Sequence, residues 1–274
     1  MPVSIVTGST AGIGLETAKG LAKEKHDLIL VSRNKKKLES LKKYLENKDK
    51  VNCNIFSYDL SLIQNNIKLF KAIKKKYIKI DYLINNVGAI FMNRIVTSEG
   101  IEKTFALNHM SYFVLSKLFS ENYSNISIIN VSSEAHRYIK LNINDLESSN
   151  NYYGWHAYKR SKLANIYTTY KINQMLKDNT VSINCLHPGL VNTEFANNND
   201  WYFKFMANII KFFGISPLEG AMTTLYLATN KEAQDFTGLY FDKCKPRNSS
   251  KESYDRNTRD LLWNYSEKLM SKFL

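Results

Sequence analysis

Short runs rich in apolar residues punctuate the chain at 3–7, 27–32, 51–57, 81–85, 126–131, 180–186 and 238–241. Strands covered on both faces read this way, because neither side of the pleat meets water. The intervening stretches differ. Through residue 23, to about 46, and over 62–76, 99–122, 155–177 and 217–229, apolar residues recur every three or four positions, as helices with one buried stripe require. Strand and helix alternate, which predicts a single α/β domain over 1–274: a doubly wound, Rossmann-type parallel sheet with helices on both faces. A ligand is then expected beyond the carboxyl ends of the strands.

With 274 residues and 44% hydrophobic side chains, the chain can bury a sizeable core, and wholesale disorder is excluded. A formal charge of +13 invites a nucleic acid or an anionic membrane as partner. The cations argue otherwise. They are mostly lysines scattered over predicted helix faces, as at Lys35-Lys36-Lys37 and Lys74-Lys75-Lys76. Lysine, asparagine, isoleucine and tyrosine, all abundant here, share A/T-rich codons, so base composition accounts for the charge. Neither zinc-finger spacing nor an RNA-binding aromatic signature occurs, and no nucleic-acid partner is expected. Cys53, Cys185 and Cys244 cannot all pair and form no CxxC, so reduced thiols without a metal are expected, in a cytoplasmic setting. The longest greasy stretch, 201–213, is interrupted by Lys204, Asn208 and Lys211 and is too short to span a bilayer. Because the first strand begins already at Val3, a targeting or anchoring segment further upstream is the alternative expectation.

Candidate chemistry clusters at strand ends. After the first strand the chain reads Thr7-Gly8-Ser9-Thr10-Ala11-Gly12-Ile13-Gly14. Glycines so spaced let the backbone turn sharply and approach a pyrophosphate, which the amino end of the next helix stabilises; the plainer reading is a turn alone. The second strand ends Ser32-Arg33-Asn34. An acidic residue there would favour the free ribose hydroxyl of NAD, whereas Arg33 offers a planar fork for a 2′-phosphate, so NADP is expected. Tyr158 and Lys162 stand four apart on a predicted helix and share a face. An ammonium beside a phenol favours the phenolate, which predicts a lowered Tyr158 pKa suited to acid–base work. Tyr-x-x-x-Lys also arises by chance; its weight here comes from following a strand that ends Asn130-Val131-Ser132-Ser133.

Taken in order, these motifs resemble those of the short-chain dehydrogenase/reductase family along the whole chain. The Thr7 to Gly14 turn is similar to the family's TGxxxGIG. Asp59-Leu60 is similar to its acidic position near the adenine, and Asn85-Asn86-Val87-Gly88 to its NNAG, with valine for alanine. Asn108, Ser133, Tyr158 and Lys162 fall at its four catalytic positions, and Pro188-Gly189 followed by Thr193 resembles its segment beside the nicotinamide. Asn108-His109, Val131-Ser132-Ser133-Glu134-Ala135-His136 and His187-Pro188-Gly189 resemble the retinol dehydrogenase-like branch.

The resemblance implies an enzyme moving a hydride between NADP(H) and an alcohol or carbonyl carbon of a small, lipophilic substrate, retinoid-, steroid- or aldehyde-like. Gly8, Ser9, Thr10, Gly12, Ile13, Gly14, Arg33, Asp59, Leu60, Asn86, Gly88, Tyr158, Lys162, Pro188, Gly189, Val191 and Thr193 would contact the cofactor. Tyr158 would donate the proton and Ser133 would hold the substrate oxygen, while Ser132 closes the strand. Lys162 would bind ribose hydroxyls and hold down the phenol's pKa, and Asn108 would order a water. His109 and His136 tempt as acid–base groups, but the tyrosine chemistry needs neither. A 3-oxoacyl thioester reductase and a catalytically silent NADP-binding regulator are the alternatives. Homo-oligomers in the family are built on the helices holding Asn108 and Tyr158. Residues 194–216 are expected to form a lid, since three asparagines at 197–199 precede an aromatic run that includes Trp201, Tyr202 and Phe205. A permanently packed helix, or one lying on a membrane surface, are the other readings.

Overall fold

In the computed structural model, which describes residues 1–177, 180–189 and 214–274, the strands form one sheet in the order β3-β2-β1-β4-β5-β6-β7-β8. They are β1 (Val3–Thr7), β2 (Asp27–Ser32), β3 (Cys53–Ser57), β4 (Tyr82–Asn85), β5 (Ile126–Val131), β6 (Val181–Leu186), β7 (Tyr240–Asp242) and β8 (Lys245–Arg247). β1 to β7 pair in parallel, and the winding reverses between β1 and β4, so a crevice opens beyond their carboxyl ends. The helices are α1 (Gly12–Lys23), α2 (Lys35–Asp49), α3 (Ile63–Lys76), α4 (Lys103–Phe105), α5 (Ser111–Asn122), α6 (Gly154–Met175), α7 (Pro217–Thr229) and α8 (Arg256–Met270).

Alternate strand residues feed two layers. Ile5, Ile29, Leu83, Ile128 and Ile183 pack with α3, α5, α6 and α8, whereas Val6, Leu30, Ile84, Ile129 and Leu186 pack with α1, α2 and α7. Each such side chain contributes about 1.5–3 kcal/mol through burial. α1 and α7 approach closely because Gly20 has no side chain; a Cβ there would lie 2.6 Å from the Leu225 methyl groups.

Three features depart from the sequence reading. The helix expected over 99–122 begins only at Lys103, where the Glu102 carboxylate accepts the N–H groups of Thr104 and Phe105, both at 2.7 Å. It then passes through a π-helical turn, Ala106–Met110, before α5. β8 closes the sheet antiparallel to β7, with Pro246 on an exposed edge where its missing N–H costs nothing. α8 was not anticipated; it buries Leu262, Trp263, Leu269 and Met270 and packs on α5 and α6, the helices expected to carry an oligomer. The Trp263 ring lies 4.9 Å from Phe113.

All three cysteines are free. Among the described residues, no helix is long and apolar enough to cross a membrane. The expected lid lies outside the described residues from 194 to 213, as do Val191 and Thr193.

Candidate active site

The crevice is shaped first by the turn between β1 and α1. Gly8 and Gly12 have φ of +69° and +53°, in the region that favours glycine. A Cβ on Gly14 would lie 2.4 Å from both the Gly8 carbonyl oxygen and Asn86 Nδ2, so this turn admits no side chain. Asn86 clamps it to the end of β4: its Nδ2 donates to the Thr7 carbonyl at 3.0 Å, and its backbone N–H donates to Thr7 Oγ1 at 2.9 Å. Thr10 Oγ1 and Ser32 Oγ, 2.8 Å apart, tie the turn to β2. The amino end of α1 has no side-chain cap, which leaves its N–H groups available to an anion.

These elements enclose a cavity of about 500 Å³, lined by Gly8, Thr10, Gly12, Ile13, Gly14, Arg33, Leu60, Asn86, Gly88, Tyr158, Lys162 and Pro188 among others. Gly189 follows in a turn with φ of +89°. Ser9, Asp59 and Ser133 stand apart from this lining. The Ser9 hydroxyl is buried and donates to the Val31 carbonyl at 3.4 Å. The Asp59 carboxylate accepts the Ser61 N–H and hydroxyl at 3.0 and 2.8 Å, anchoring the turn into α3.

Tyr158 and Lys162 share one face of α6, with the Lys162 nitrogen 5.7 Å from the centre of the Tyr158 ring. The Ser133 hydroxyl is hydrogen-bonded to the phenol. The neighbouring Ser132 hydroxyl is directed elsewhere, donating to the Lys162 carbonyl at 2.8 Å. Lys162 Nζ, almost fully buried, donates to the Val131 carbonyl at 2.9 Å. Burial pushes the Tyr158 phenol up to about 12 and the Lys162 ammonium down to about 7. The expected depression of Tyr158 by Lys162 is therefore overturned: burial raises the phenol, the Ser133 hydrogen bond only tempers the rise, and Lys162, itself pushed down to about 7, has lost its charge before the phenol titrates.

Asn108 sits in the π-helical turn with its amide fully engaged. Oδ1 accepts the Ala89 N–H at 2.9 Å, while Nδ2 donates to the Ala89 carbonyl at 2.9 Å and to Ser161 Oγ at 3.1 Å. Its side chain pins the segment after β4. A Cβ on Gly88 would stand 3.3 Å from Asn108 Oδ1 and 3.5 Å from Lys162 Nζ, so this glycine lets the three groups converge. His109 is buried among Phe105 and Phe113, bonded to Ser266 Oγ at 2.9 Å, away from the cavity.

Sequence reasoning passed over several contributors. Thr7 accepts the N–H groups of both Asn86 and Val87 and so joins two strand ends. Tyr112, fully buried, donates to the same Val131 carbonyl as Lys162, at 3.2 Å, and its ring lies 5.3 Å from Lys162 Nζ. From Asn85 in β4, Nδ2 donates to Asn130 Oδ1 at 2.9 Å, and Asn130 Nδ2 donates to Thr169 Oγ1 at 3.0 Å, a buried polar link across the sheet into α6. The cavity also has an apolar side that includes Val87, Ala89, Ile90, Phe91 and Leu107.

A glycine-rich turn under the switch point of a doubly wound sheet defines a dinucleotide-binding class of protein. The family model described as short chain dehydrogenase matches residues 2–201. The WW domain-containing oxidoreductase of Homo sapiens is 31% identical over 284 residues, covering 99% of this chain and 69% of that protein. Retinol dehydrogenase 12 of Mus musculus is 30% identical, covering 98% of this chain and 86% of that protein. The solved L-sorbose reductase from Gluconobacter frateurii, complexed with NADPH and L-sorbose, aligns with a TM-score of 0.71 at 20% identity, over 88% of this chain and 94% of that one. That last likeness is one of fold. The chain belongs to the short-chain dehydrogenase family, whose members are nicotinamide-dependent oxidoreductases with retinol dehydrogenases among this chain's relatives.

Proposed function

We propose that the chain reduces or oxidises a lipophilic carbonyl or alcohol compound with NADP(H), using Tyr158 as the proton-transferring residue. The observation that carries this reading is the meeting of Tyr158 and Lys162 in the wall of the cavity that the glycine turn and Arg33 also shape, with Ser133 hydrogen-bonded to the phenol. A nicotinamide dinucleotide suits the residues present. Gly8 and Gly14 have no room for side chains, the start of α1 is uncapped, and Arg33 stands at the cavity's β2 side with an exposed guanidinium. NADP rather than NAD is favoured by that arginine fork, and the relative of the same fold was solved with NADPH.

When bound, the nicotinamide would supply or accept the hydride. Tyr158 stays protonated at neutral pH, because its pKa lies near 12, and so can give its proton to a substrate oxygen that gains negative charge. The Ser133 hydroxyl already meets that phenol and can donate to the same oxygen, stabilising the charge as it develops. Lys162, lodged under the Tyr158 ring, offers N–H groups to ribose hydroxyls while Val131 and Tyr112 fix its position. Asn108 holds the wall through Ala89. The apolar side of the cavity, together with the retinol dehydrogenase relative, supports a lipophilic substrate.

The test is a panel of aliphatic, retinoid and steroid aldehydes and ketones, with 3-oxoacyl thioesters alongside, followed at the nicotinamide absorbance with NADPH and with NADH. Turnover of apolar carbonyls with NADPH, abolished by Tyr158→Phe without loss of cofactor binding, is the expected result. A Tyr158→Phe variant that keeps the wild-type rate overturns the mechanism. Cofactor binding without turnover of any compound would point to a regulator.

A further inference from the structure

A second cavity, of about 1120 Å³, opens beside the β7–β8 edge, between α6 and the start of α8, and shares no lining residue with the candidate active site. Its wall holds Arg137, Arg247, Arg256 and Arg259 against the carboxylates of Glu134 and Asp242. Both acids are already engaged. Glu134 pairs with Arg137 and accepts the Tyr240 hydroxyl at 3.0 Å, and Asp242 faces His187 Nε2 at 3.1 Å. Asp260, beside α8's arginines, is bound by Lys171 at 2.8 Å.

The other three arginines are less fully engaged. Among the described residues, the side chains of Arg247 and Arg256 make no salt bridge or hydrogen bond, although Arg256 helps to hold the Asp260 carboxyl low. Arg259 is only 8% exposed; its Nη2 donates to Gln174 Oε1 at 2.7 Å, but its buried Nε has no hydrogen-bond partner, with Asp260 no nearer than 3.8 Å. Like charges gathered in a partly enclosed space repel, and a bound anion relieves that repulsion. The guanidinium fork matches phosphate and carboxylate oxygens in pairs. Tyr170 and Tyr254 stack at 5.6 Å and 21°, adding an aromatic surface beside the cationic one.

We propose that this cavity is a second small-molecule site, for an organic polyanion carrying phosphate or carboxylate groups. A concave space of this size, walled by arginines and an aromatic pair, suits a small molecule. The inference is independent of the chemistry assigned to Tyr158.

The experiment is calorimetric titration of the full chain with inorganic pyrophosphate and, separately, with citrate, at matched ionic strength, for the wild type and for the double variant Arg247→Gln/Arg256→Gln. Both arginines are exposed, so the fold should survive, which circular dichroism verifies. Saturable binding of either anion, weakened at least tenfold in the double variant, is the expected result. Because the glycine turn also attracts pyrophosphate, it is the loss in the double variant that assigns binding to this cavity. A response to pyrophosphate alone makes the group a phosphate, and one to citrate alone a carboxylate. No saturable binding of either probe, or equal affinity in both proteins, overturns the proposal.

Discussion

His136 supports Ser133 from behind: its Nδ1 lies 2.7 Å from the Ser133 carbonyl oxygen, and its Nε2 lies 2.9 Å from the backbone nitrogen of Ser250. A backbone N–H can only donate, so Nε2 is the acceptor and the proton of the neutral ring is on Nδ1, aimed at Ser133. Burial lowers the pKa of this histidine, which keeps the ring neutral. Ser133 is thereby linked to residue 250, far along the chain.

His136 is thus a positioning residue, and His136→Phe should lower kcat about tenfold while leaving the KM for cofactor unchanged. The variant also leaves the buried Ser250 N–H unpaired, which costs about 1–3 kcal/mol of stability, while the Ser133 carbonyl keeps the backbone N–H of residue 136. His136→Gln, whose amide can both donate and accept, should recover most of the rate. Steady-state kinetics on the two variants at matched folded fraction would decide; a Phe variant with wild-type kcat would remove His136 from the site's support.

Arg33→Ala should weaken NADPH binding by about 1–3 kcal/mol, the size of a hydrogen bond to a charged group. NADH binding should hardly change, because only the 2′-phosphate distinguishes the two cofactors. Fluorescence titration of each cofactor measures both affinities. Equal losses would mean that Arg33 shapes the pocket without reading the phosphate.

What was legible in the sequence was local. Tyr158 and Lys162 share a helix face by spacing alone, and the turn from Thr7 to Gly14 announces itself because Gly8 and Gly14 meet backbone and Asn86 with no space for a Cβ. What stayed hidden depended on distant contacts. Tyr112 is one of 17 tyrosines, and nothing in its neighbours says that its hydroxyl will meet Val131. The Asp59 carboxylate takes the Ser61 N–H and hydroxyl, a contact that its motif does not announce. The direction of the Tyr158 shift is not legible in the spacing, which reveals Lys162 but not the burial that raises the phenol and strips the lysine of its charge first. β8 is short and polar, and its strand character comes from pairing with β7 rather than from its own residues.

Lys162→Met should make the ligand-free protein more stable while abolishing turnover. The ammonium is buried, its pKa is pushed down to about 7, and its described partner is the Val131 carbonyl, which Tyr112 also satisfies. Between pH 7 and the unfolded value of about 10.5 the unfolded chain holds a proton that the folded chain lacks, so stability rises with pH across that window and the penalty is complete below it. Replacing a buried charge with a well-packed apolar side chain commonly gains about 1–4 kcal/mol. Urea unfolding at pH 6.5 and pH 9.5 measures the effect, and the gain should be larger at the lower pH. A variant less stable than the wild type at pH 6.5 would show that the Val131 hydrogen bond outweighs the desolvation of the ammonium.

His109 should make the protein sensitive to acid. Its side chain is completely buried between Phe105 and Phe113, and burial drives its pKa down to about 3. In the unfolded chain it titrates near 6.5. Below that value the unfolded state takes up a proton that the folded state refuses. Stability from this group is therefore complete above about pH 6.5 and drains away as the pH falls toward 3, by roughly 5 kcal/mol across the whole window. His26 and His136, also lowered by burial, act in the same direction from the same upper limit. Glu134, held low by Arg137 and Tyr240 against its desolvation, joins them as the pH passes below 4.5, while Glu102, raised by burial, opposes them. The urea midpoint should thus drop steadily from pH 7 to pH 4. His109→Gln, which retains a partner for the Ser266 hydroxyl, should flatten that decline more than His26→Gln does, because His109 is the more deeply buried of the two. If the midpoint of His109→Gln falls as steeply as that of the wild type, the buried imidazole is not the source of the acid sensitivity.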